Sequence, residues 1–429
     1  MLVSLIGLGV VFALLLFGLP LAITLGLVGF VGFGLQVGFG PSAAMVAHIA
    51  WDTVSSYSLS VLPMFLLMGN LVNHAGLSRE LYDASNAFVG HRRGGLAMAT
   101  VIACGGFAAV CGSSVATAAT MSKIALPSMR RYGYSEALAV GSIASGGTLG
   151  IMIPPSVTMV IYGTMTETSV GKLFIAGILP GILGVLLYMS AVTAHTLIDP
   201  KAGPAAPRTP WRQRLFVLRA VWPTVALFAL VIGGIYLGVF TAEEAAGIGA
   251  FGALMIALSR RLLTVQSLTR ILAETARSTA SLMAVLIGAL IFANFISTTG
   301  IASETVGWIR QLEVPPIVVL LMVVALYVML GCILESLSMI LLTIPVLFPL
   351  LVSLGYDPVW FGILIVVLVE VSMISPPIGM NLFVIQAMSG VSTMTMYRGI
   401  WPFIVADVIR VSIIAFIPAF VLFLPNHMG

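Results

Sequence analysis

The stretch Gly146-Gly-Thr-Leu-Gly-Ile-Met-Ile-Pro-Pro-Ser156 lies in the middle of an apolar segment that is long enough to cross a membrane. Consecutive prolines remove two backbone donors and clash with the preceding turn, so a helix breaks there. The neighbouring glycines let the chain unwind. Carbonyl oxygens freed at membrane depth need a partner, and a bare cation can serve. The stretch therefore predicts a broken membrane helix with a cation site, against the alternative of a purely structural proline kink.

The composition around this stretch is that of a polytopic, all-α membrane protein. Of the 429 residues, 60% are hydrophobic and only 8% are charged, and the mean hydropathy is +1.14. A soluble domain carries about 25% charged residues, which excludes an ordinary cytosolic enzyme, a disordered protein and a nucleic-acid binder. The net charge of +4 makes no basic patch. Three cysteines (Cys104, Cys111, Cys332) form neither a disulfide framework nor a zinc pattern.

Hydropathy predicts ten membrane crossings and two interrupted segments. A crossing needs about 20 apolar residues, and the candidates lie near 1–18, 20–39, 57–75, 135–165, 172–196, 216–239, 241–258, 278–299, 357–389 and 397–424. Segments at about 95–130 and 315–352 are interrupted by Gly112-Ser113-Ser114 and by Glu335-Ser336. A chain that turns on polar residues at membrane depth is typical of a re-entrant hairpin, which requires surrounding protein or water.

The basic residues predict the orientation. With ten crossings and two hairpins, sixteen of the 19 Lys and Arg residues share one side, and Lys172 and Arg310 lie on the other. Arg410 falls inside the last crossing. Because cytoplasmic loops collect Lys and Arg, we expect the joint between the halves in the cytoplasm and both termini in the periplasm.

The two halves of the chain repeat each other. Residues of the first half recur 222 positions later: Pro127, Gly133, Tyr134, Pro154, Pro155 and Ser114 match Pro349, Gly355, Tyr356, Pro376, Pro377 and Ser336. Each half has five crossings, and an odd number turns the second copy upside down, as in secondary transporters with inverted-topology repeats. We predict a first repeat over 1–198, a cytoplasmic linker over 199–215 and a second repeat over 216–429. Chance similarity between two Leu/Gly/Pro-rich stretches is the alternative.

The counterpart of the opening stretch is Ser372-Met-Ile-Ser-Pro-Pro-Ile-Gly-Met-Asn381, in the segment 357–389. Carbonyls and C-terminal helix ends favour Na⁺, whereas N-terminal ends favour an anionic group. Each broken helix aligns with the hairpin of its own half, so we expect two pseudo-symmetric cation sites with the substrate between them. The hydroxyls of the first hairpin tip, 112–120, could bind a carboxylate, or its small residues could simply permit close helix packing.

Three acidic residues fall at membrane depth, where such side chains are costly and usually functional. Glu370 could support a cation site, carry a proton or pair with Arg410. Glu335 at the second hairpin is a further candidate for coupling, or is simply hydrated. Asp407 lies one helical turn from Arg410 and predicts a local ion pair.

Other motifs are missing from the sequence. It contains no Walker phosphate loop, which excludes ATP hydrolysis on this chain, and neither a zinc-protease motif nor a nucleophile elbow. An enzyme is therefore the least expected class. A channel would need a continuous polar stripe, whereas polar residues here cluster at four interruptions.

At these motifs the chain resembles the large membrane (M, or DctM-like) subunit of the tripartite ATP-independent periplasmic (TRAP) transporters. The matching residues are Gly112-Ser-Ser-x-Ala-Thr117, Gly147-Thr-Leu-Gly-Ile-x-Ile-Pro-Pro-Ser156 and Ser375-Pro-Pro-Ile-Gly-Met-Asn381, together with the length and the repeat layout. The resemblance implies a Na⁺-coupled importer of a small organic acid, of C4-dicarboxylate or sugar-acid type, working by an elevator mechanism in the bacterial inner membrane.

The resemblance also implies site residues. One Na⁺ would lie between the first hairpin tip and the first broken helix, at Gly112, Ser113, Gly150, Met152 and Pro155. The 222-residue offset carries the last three of these to Ser372, Ile374 and Pro377 for a second Na⁺. We expect five side chains to face the substrate: Ser114, Thr117, Ser156, Ser336 and Asn381. Because neither hairpin tip nor broken segment contains an arginine, an Arg that binds a substrate carboxylate must come from elsewhere.

The resemblance finally implies partners: a periplasmic substrate-binding protein, and a small four-helix membrane subunit that we expect on a separate chain. Two or more Na⁺ ions would be co-transported, with no resident metal and no ATP. A stand-alone ion-coupled anion carrier stays open, because other elevator folds share hairpins and broken helices.

Overall fold

The computed structural model describes residues 2–311, 314–331, 334–376 and 379–428, and these residues form α-helices with a few short 3₁₀ helices, turns and a non-helical linker at 199–210, with no strand among them. The helices are α1 (Leu2–Leu16), α2 (Leu21–Val37), α3 (Phe39–Ser55), α4 (Val61–His74), α5 (Leu77–Val89), α6 (Gly95–Cys111), α7 (Ser114–Arg131), α8 (Glu136–Thr148), α9 (Val157–Thr166), α10 (Val170–Ile198), α11 (Trp211–Tyr236), α12 (Ala242–Ser259), α13 (Val265–Thr298), α14 (Ile301–Gln311), α15 (Pro316–Leu330), α16 (Ser336–Ser353), α17 (Pro358–Ser372), α18 (Met380–Ser389), α19 (Thr393–Phe416) and α20 (Pro418–Leu422). The predicted all-α architecture is confirmed.

Hydroxyl side chains begin several of the helices that carry the site. Ser113, Ser135 and Ser156 each accept a hydrogen bond from a backbone N–H in the first turn of α7, α8 and α9, respectively. Such caps satisfy donors that a helix start leaves free. Inside a membrane this matters more than in water, because no solvent is available to replace the missing partner. Serine therefore sets where each half-helix restarts.

Within the described residues, six helices are long and apolar enough to cross a membrane on their own: α10, α11, α12, α13, α16 and α19. The chain is a multi-pass membrane protein. Helix α1 has 15 residues and α17 also has 15, so each is about 22 Å long at 1.5 Å per residue. That is shorter than the roughly 30 Å hydrocarbon core. The count of ten crossings stays a prediction.

Helices α3 and α4 are bent against each other by 60° at the break between Ser55 and Ser58. The sequence predicted a crossing over 57–75 and assigned no helix to 40–56. Helix α3 escaped notice because His48 and Asp52 interrupt its apolar residues. Polar residues on one face of a helix lower the mean hydropathy that identifies a crossing without preventing the helix.

Two long helix contacts hold the periphery together. Helix α2 packs along α13, and α12 packs along α4. Helix α2 passes so close to α13 that a Cβ atom added at Gly29 would lie 2.7 Å from the backbone N of Phe292. Glycine is required there because the two backbones approach so closely.

The broken segments occupy the centre of the molecule. Every residue of α17 from Val359 to Ser372 is buried, as is every residue of α8 from Leu138 to Thr148. Helix α8 packs on α6, α7 and α19, and α17 packs on α10, α15 and α16. The interruptions at the ends of α8 and α17 are therefore enclosed by protein, as non-helical backbone at membrane depth requires.

Elements of the two halves follow one another in the same order. The pair α6 and α7 breaks at 112–113, and the pair α15 and α16 breaks at 331–335, of which the structure describes 331, 334 and 335. Helices α8 and α9 are followed by α10, as α17 and α18 are followed by α19. The assignment of 1–198 and 216–429 as inverted repeats stays a prediction.

Candidate functional site

The first broken segment runs from the end of α8 through a 3₁₀ turn at Leu149–Ile151 to the start of α9. In a continuous helix, Pro154 and Pro155 would donate to the carbonyls of Gly150 and Ile151, but proline has no N–H. The hydroxyl of Ser156 donates to the Ile151 oxygen at 2.5 Å instead. In the part of the chain that the structure describes, no donor bonds to the Gly150 oxygen.

The first hairpin tip packs directly on this segment. A Cβ atom added at Gly150 would lie 2.7 Å from the Ser113 oxygen and 2.9 Å from Oγ1 of Thr117. Gly112 has a φ of +65°, and a Cβ there would lie 2.8 Å from the Pro155 oxygen. Glycine is needed at both positions, because any side chain would separate the tip from the segment.

These contacts bring four of the five residues of the first expected ion site together: Gly112, Ser113, Gly150 and Pro155. Met152 is fully buried beside them. Its carbonyl oxygen lies against α10, where a Cβ added at Gly177 would be 2.8 Å away. The cluster thus offers carbonyl oxygens, which are suitable ligands for a hard cation.

The second broken segment follows α17. Ser372 and Ile374 are buried, and the Ser372 hydroxyl donates to the Val369 oxygen at 2.6 Å. A Cβ at Gly331, at the end of α15, would overlap the side chain of Ser372. The second hairpin therefore approaches its segment as closely as the first hairpin does. Pro377, the third residue expected here, lies outside the described residues.

Of the five side chains expected to face the substrate, two bond to each other. The amide Nδ2 of Asn381 donates to Ser114 Oγ at 2.8 Å and to the Ala144 oxygen at 3.2 Å, and Asn381 is fully buried. The hydroxyl of Thr117 donates to the Ser113 oxygen at 2.7 Å, and the hydroxyl of Ser156 donates to the Ile151 oxygen. Ser336 is half-buried at the start of α16.

A cavity of about 590 Å³ lies between the two hairpin tips and α13. The first tip contributes Gly112 to Val115, and the second contributes Glu335 to Leu337. Helix α13 contributes Arg277, Ser278 and Ser281. A cavity of this size holds a small organic molecule, and both predicted hairpin tips line it.

Arg277 is the residue that reasoning from the sequence missed. Its helix lies outside both hairpins and both broken segments. In the sequence analysis, Arg277 was used only as one of the basic residues that predict the orientation in the membrane. A signal was available: Ser281 lies one helical turn after both Arg277 and Ser278, at the start of the predicted span 278–299. Arg277 thus brings a guanidinium to the cavity from a helix outside the hairpin tips and broken segments, which is where any Arg of this cavity was expected to come from.

A second cavity, of about 630 Å³, lies elsewhere, among the loops after α9 and α11. Its lining includes Glu167 and Glu243 and none of the residues of the hairpin tips or broken segments. Cavity size alone therefore does not distinguish the two, and we take as the candidate site the cavity at which the hairpin tips and broken segments meet.

The acidic residues predicted at membrane depth fall into two environments. Glu370 and Asp407 are fully buried, and both contact Nη2 of Arg410, at 2.6 and 2.8 Å. The ion pair expected between Asp407 and Arg410 is present, and so is the Glu370–Arg410 pair considered as an alternative. Glu335 is exposed at the cavity lining.

Apolar spanning helices, paired helix breaks surrounded by protein and an open cavity between the two hairpin tips define a membrane transporter of the broken-helix type. The sequence matches the family described as "Tripartite ATP-independent periplasmic transporter, DctM component" over residues 8–420. The chain belongs to this family, and the resemblance seen in its motifs is confirmed.

Relatives of this chain have been named for several cargoes. It is 39% identical over 393 residues to the C4-dicarboxylate TRAP transporter large permease protein of Pseudomonas aeruginosa, covering 91% of this chain and 92% of that protein. It is 30% identical to the sialic acid TRAP transporter large permease protein of Vibrio cholerae, covering 87% of each. It is also 30% identical to the 2,3-diketo-L-gulonate TRAP transporter large permease protein of Escherichia coli, covering 96% and 94%.

A solved structure shares the fold. The YdaH transporter of Alcanivorax borkumensis superimposes with a TM-score of 0.64 over 89% of each chain, at 16% sequence identity. At that identity the likeness concerns the fold alone.

Proposed function

We propose that this chain is the permease through which a TRAP system imports a small organic acid, driven by Na⁺. The observation that carries the proposal is the cavity between the hairpin tips and α13, which joins hydroxyls, helix starts and one arginine beside carbonyl-rich breaks. Names of the relatives include C4-dicarboxylate, sialic acid and 2,3-diketo-L-gulonate. All three are carboxylic acids, so a carboxylate is the group we expect this site to recognise.

Arg277 is the residue that we assign to the substrate carboxylate. It lines the cavity from α13, and an arginine binds a carboxylate through two parallel N–H donors. Ser114 and Ser336 begin the second helices of the two hairpins. Helix starts favour negative groups, because their backbone N–H groups are free and the helix dipole is positive there. An anion in the cavity would therefore meet three favourable groups.

The first Na⁺ site is proposed between the first hairpin tip, at Gly112 and Ser113, and the first broken segment. The oxygens of Gly150 and Pro155 accept no hydrogen bond from any described residue. Buried carbonyls without donors are costly, and a cation removes that cost. The symmetric position in the second half, with Ser372, Ile374 and Pro377, is proposed for the second ion.

The proposed movement is an elevator. The peripheral contacts of α2 with α13 and of α4 with α12 would form the static scaffold. The hairpins and broken segments would move against it with substrate and ions. Arg277, on the scaffold, would then contact the substrate in only one position of the moving part, and Glu335 would lie at the cavity mouth during exchange.

Three further assignments complete the proposal. A periplasmic binding protein delivers the substrate, and a small membrane subunit braces the scaffold. The chain resides in the bacterial inner membrane with the linker 199–215 in the cytoplasm and both termini in the periplasm. The two halves are inverted repeats with ten crossings and two re-entrant hairpins.

Uptake into proteoliposomes tests the proposal. The permease is reconstituted with its small subunit and binding protein, and uptake of radiolabelled C4-dicarboxylates and sugar acids is measured with an inward Na⁺ gradient or with K⁺ in its place. We expect accumulation only with Na⁺ and loaded binding protein. Uptake without the binding protein would support a stand-alone carrier, and downhill flux that ignores the Na⁺ gradient would contradict coupling altogether.

A further inference from the structure

Five fully buried side chains form one polar cluster between the broken segments: Thr148, Tyr188, Glu370, Asp407 and Arg410. Arg410 Nη2 contacts Glu370 Oε2 at 2.6 Å and Asp407 Oδ1 at 2.8 Å. The Tyr188 hydroxyl donates to the Asp407 carboxylate, at 2.8 and 2.9 Å from its two oxygens. The hydroxyls of Thr148 and Tyr188 are 3.3 Å apart. The contacts run without interruption from α8 to α17.

The cluster pairs symmetry-related positions. Thr148 and Glu370 are 222 residues apart, and so are Tyr188 and Arg410. In the first half a threonine meets a tyrosine, and in the second half a glutamate meets an arginine. Asp407 joins the two pairs, because it contacts both Tyr188 and Arg410. The first pair is neutral and the second is charged. The two halves therefore differ in the charge of this pair, although the paired positions are in contact in both.

When both carboxyls are ionised, the cluster has a formal charge of −1, because two carboxylates share one guanidinium. A net charge enclosed by protein at membrane depth is expensive unless another charge compensates it. Neither oxygen of Glu370 accepts a hydrogen bond from a described residue, and its Oε2 only contacts Arg410 as an ion pair, whereas both oxygens of Asp407 also accept from Tyr188. Glu370 is therefore the carboxylate with fewer neutralising partners.

The cluster lies beside both proposed ion sites. Thr148 precedes Gly150 by two residues, and Glu370 precedes Ser372 by two. The guanidinium of Arg410 also reaches the first segment. A Cβ added at Gly184 would lie 2.5 Å from Arg410 Nη1 and 2.9 Å from Cδ2 of Leu149, which opens the 3₁₀ turn. The ion sites themselves are lined by carbonyls and hydroxyls, which carry no net charge.

We infer that this buried cluster supplies the shared negative counter-charge that attracts the cations to the two broken segments. The inference rests on the proposed Na⁺ coupling. Neutral oxygens select a hard cation through their geometry. A fixed negative charge in a low-dielectric interior adds an electrostatic attraction, which decreases only in inverse proportion to the distance. Glu370 acts as a positioning and charge-bearing residue and need not touch an ion.

A purely structural role for the same contacts predicts a different result. If the ion pairs only hold α17 against α19, their loss lowers the melting temperature and leaves the affinity for Na⁺ unchanged. The informative quantity is therefore the Na⁺ concentration that gives half of the maximal effect, read from two assays: the rise in melting temperature of the purified protein and the uptake rate of the reconstituted complex.

The variants Glu370→Gln and Asp407→Asn each change the cluster charge from −1 to zero and leave Arg410 one carboxylate. We expect both to raise the half-maximal Na⁺ concentration by about tenfold, which corresponds to about 1.4 kcal/mol. Glu136→Gln is the matched control, because Glu136 pairs with Arg130 on the exposed surface. That variant loses the same charge and should keep the wild-type Na⁺ dependence.

Folded Glu370→Gln and Asp407→Asn proteins with wild-type Na⁺ dependence would overturn the inference while leaving Na⁺ coupling intact. A wild-type protein without any Na⁺ response would instead refute the proposed function itself. If neither neutral variant accumulates as folded protein, Glu370→Asp gives a milder test. It keeps the charge and changes only the side-chain length, so the half-maximal Na⁺ concentration should stay near that of wild type, and a tenfold rise contradicts the counter-charge.

Discussion

Asn381 and Ser114 are hydrogen-bonded to each other across 267 residues of sequence. Ser114 is the first residue of α7 and Asn381 lies at the start of α18, so the bond joins the first hairpin to the second broken segment. Both side chains are buried, and Asn381 Nδ2 also donates to the Ala144 oxygen of α8. One amide thus connects three elements that carry the proposed site.

Replacing either member of this pair should impair transport. Asn381→Ala leaves the Ala144 oxygen and the Ser114 hydroxyl without their partner, at a cost of about 1–3 kcal/mol for a buried unpaired group. We expect initial uptake to fall about tenfold. Because the two residues share one interaction, Ser114→Ala combined with Asn381→Ala should cost less than the sum of the single effects. Asn294→Ala, at an exposed amide bonded within its own helix, is the control.

Arg277 should control the affinity for substrate. Arg277→Gln removes the cationic group that lines the cavity, and a hydrogen bond to a charged group is worth about 1.5–3 kcal/mol. We expect the KM for the carboxylate substrate to rise at least tenfold. Arg270→Gln, on the exposed surface of the same helix, removes the same charge away from the cavity. Equal KM values for both variants would refute the assignment of Arg277.

Gly150 should tolerate no side chain. In Gly150→Ala the new Cβ would lie 2.7 Å from the Ser113 oxygen, so the hairpin tip must move away from the broken segment. We expect the Na⁺ concentration that gives half-maximal uptake to rise by about tenfold or more. Gly247→Ala is the matched control, because a Cβ there meets no atom within 4 Å. Alanine favours a helix over glycine by up to about 1 kcal/mol, so the control should be as stable as wild type.

The prolines of the first broken segment should be needed for Na⁺ dependence. Pro154→Ala combined with Pro155→Ala restores a backbone donor for the Gly150 oxygen, which then becomes unavailable to an ion. Uptake should lose its Na⁺ dependence or require much more Na⁺. Pro223→Ala removes a proline from inside α11, away from the site, and serves as control. An unaltered Na⁺ titration of the double variant would exclude this segment as an ion site.

The orientation can be tested by cysteine labelling. In a background without the native cysteines, Ala205→Cys places a thiol on the exposed linker, and Lys172→Cys places one at the start of α10. The distribution of Lys and Arg predicts that a membrane-impermeant maleimide applied to intact cells labels position 172 and leaves position 205 unlabelled. The reverse pattern would show that the chain is inserted the other way round.

Local chemistry made much of this protein predictable from its sequence. The breaks at Pro154-Pro155 and at 112–113 follow from the missing N–H of proline and the freedom of glycine, which act within one helical turn. The bent pair of α3 and α4 was missed, because the polar residues of α3 hide its helix from an average of hydropathy.

What the sequence by itself determined, therefore, is where the helices break and which family the chain resembles. Only the tertiary structure decided which distant groups meet: Asn381 with Ser114, Arg277 with the hairpin tips, and Glu370 with Arg410. The reason is physical. A helix break depends on neighbours along the chain, whereas a contact between residues far apart in sequence depends on how every intervening helix packs.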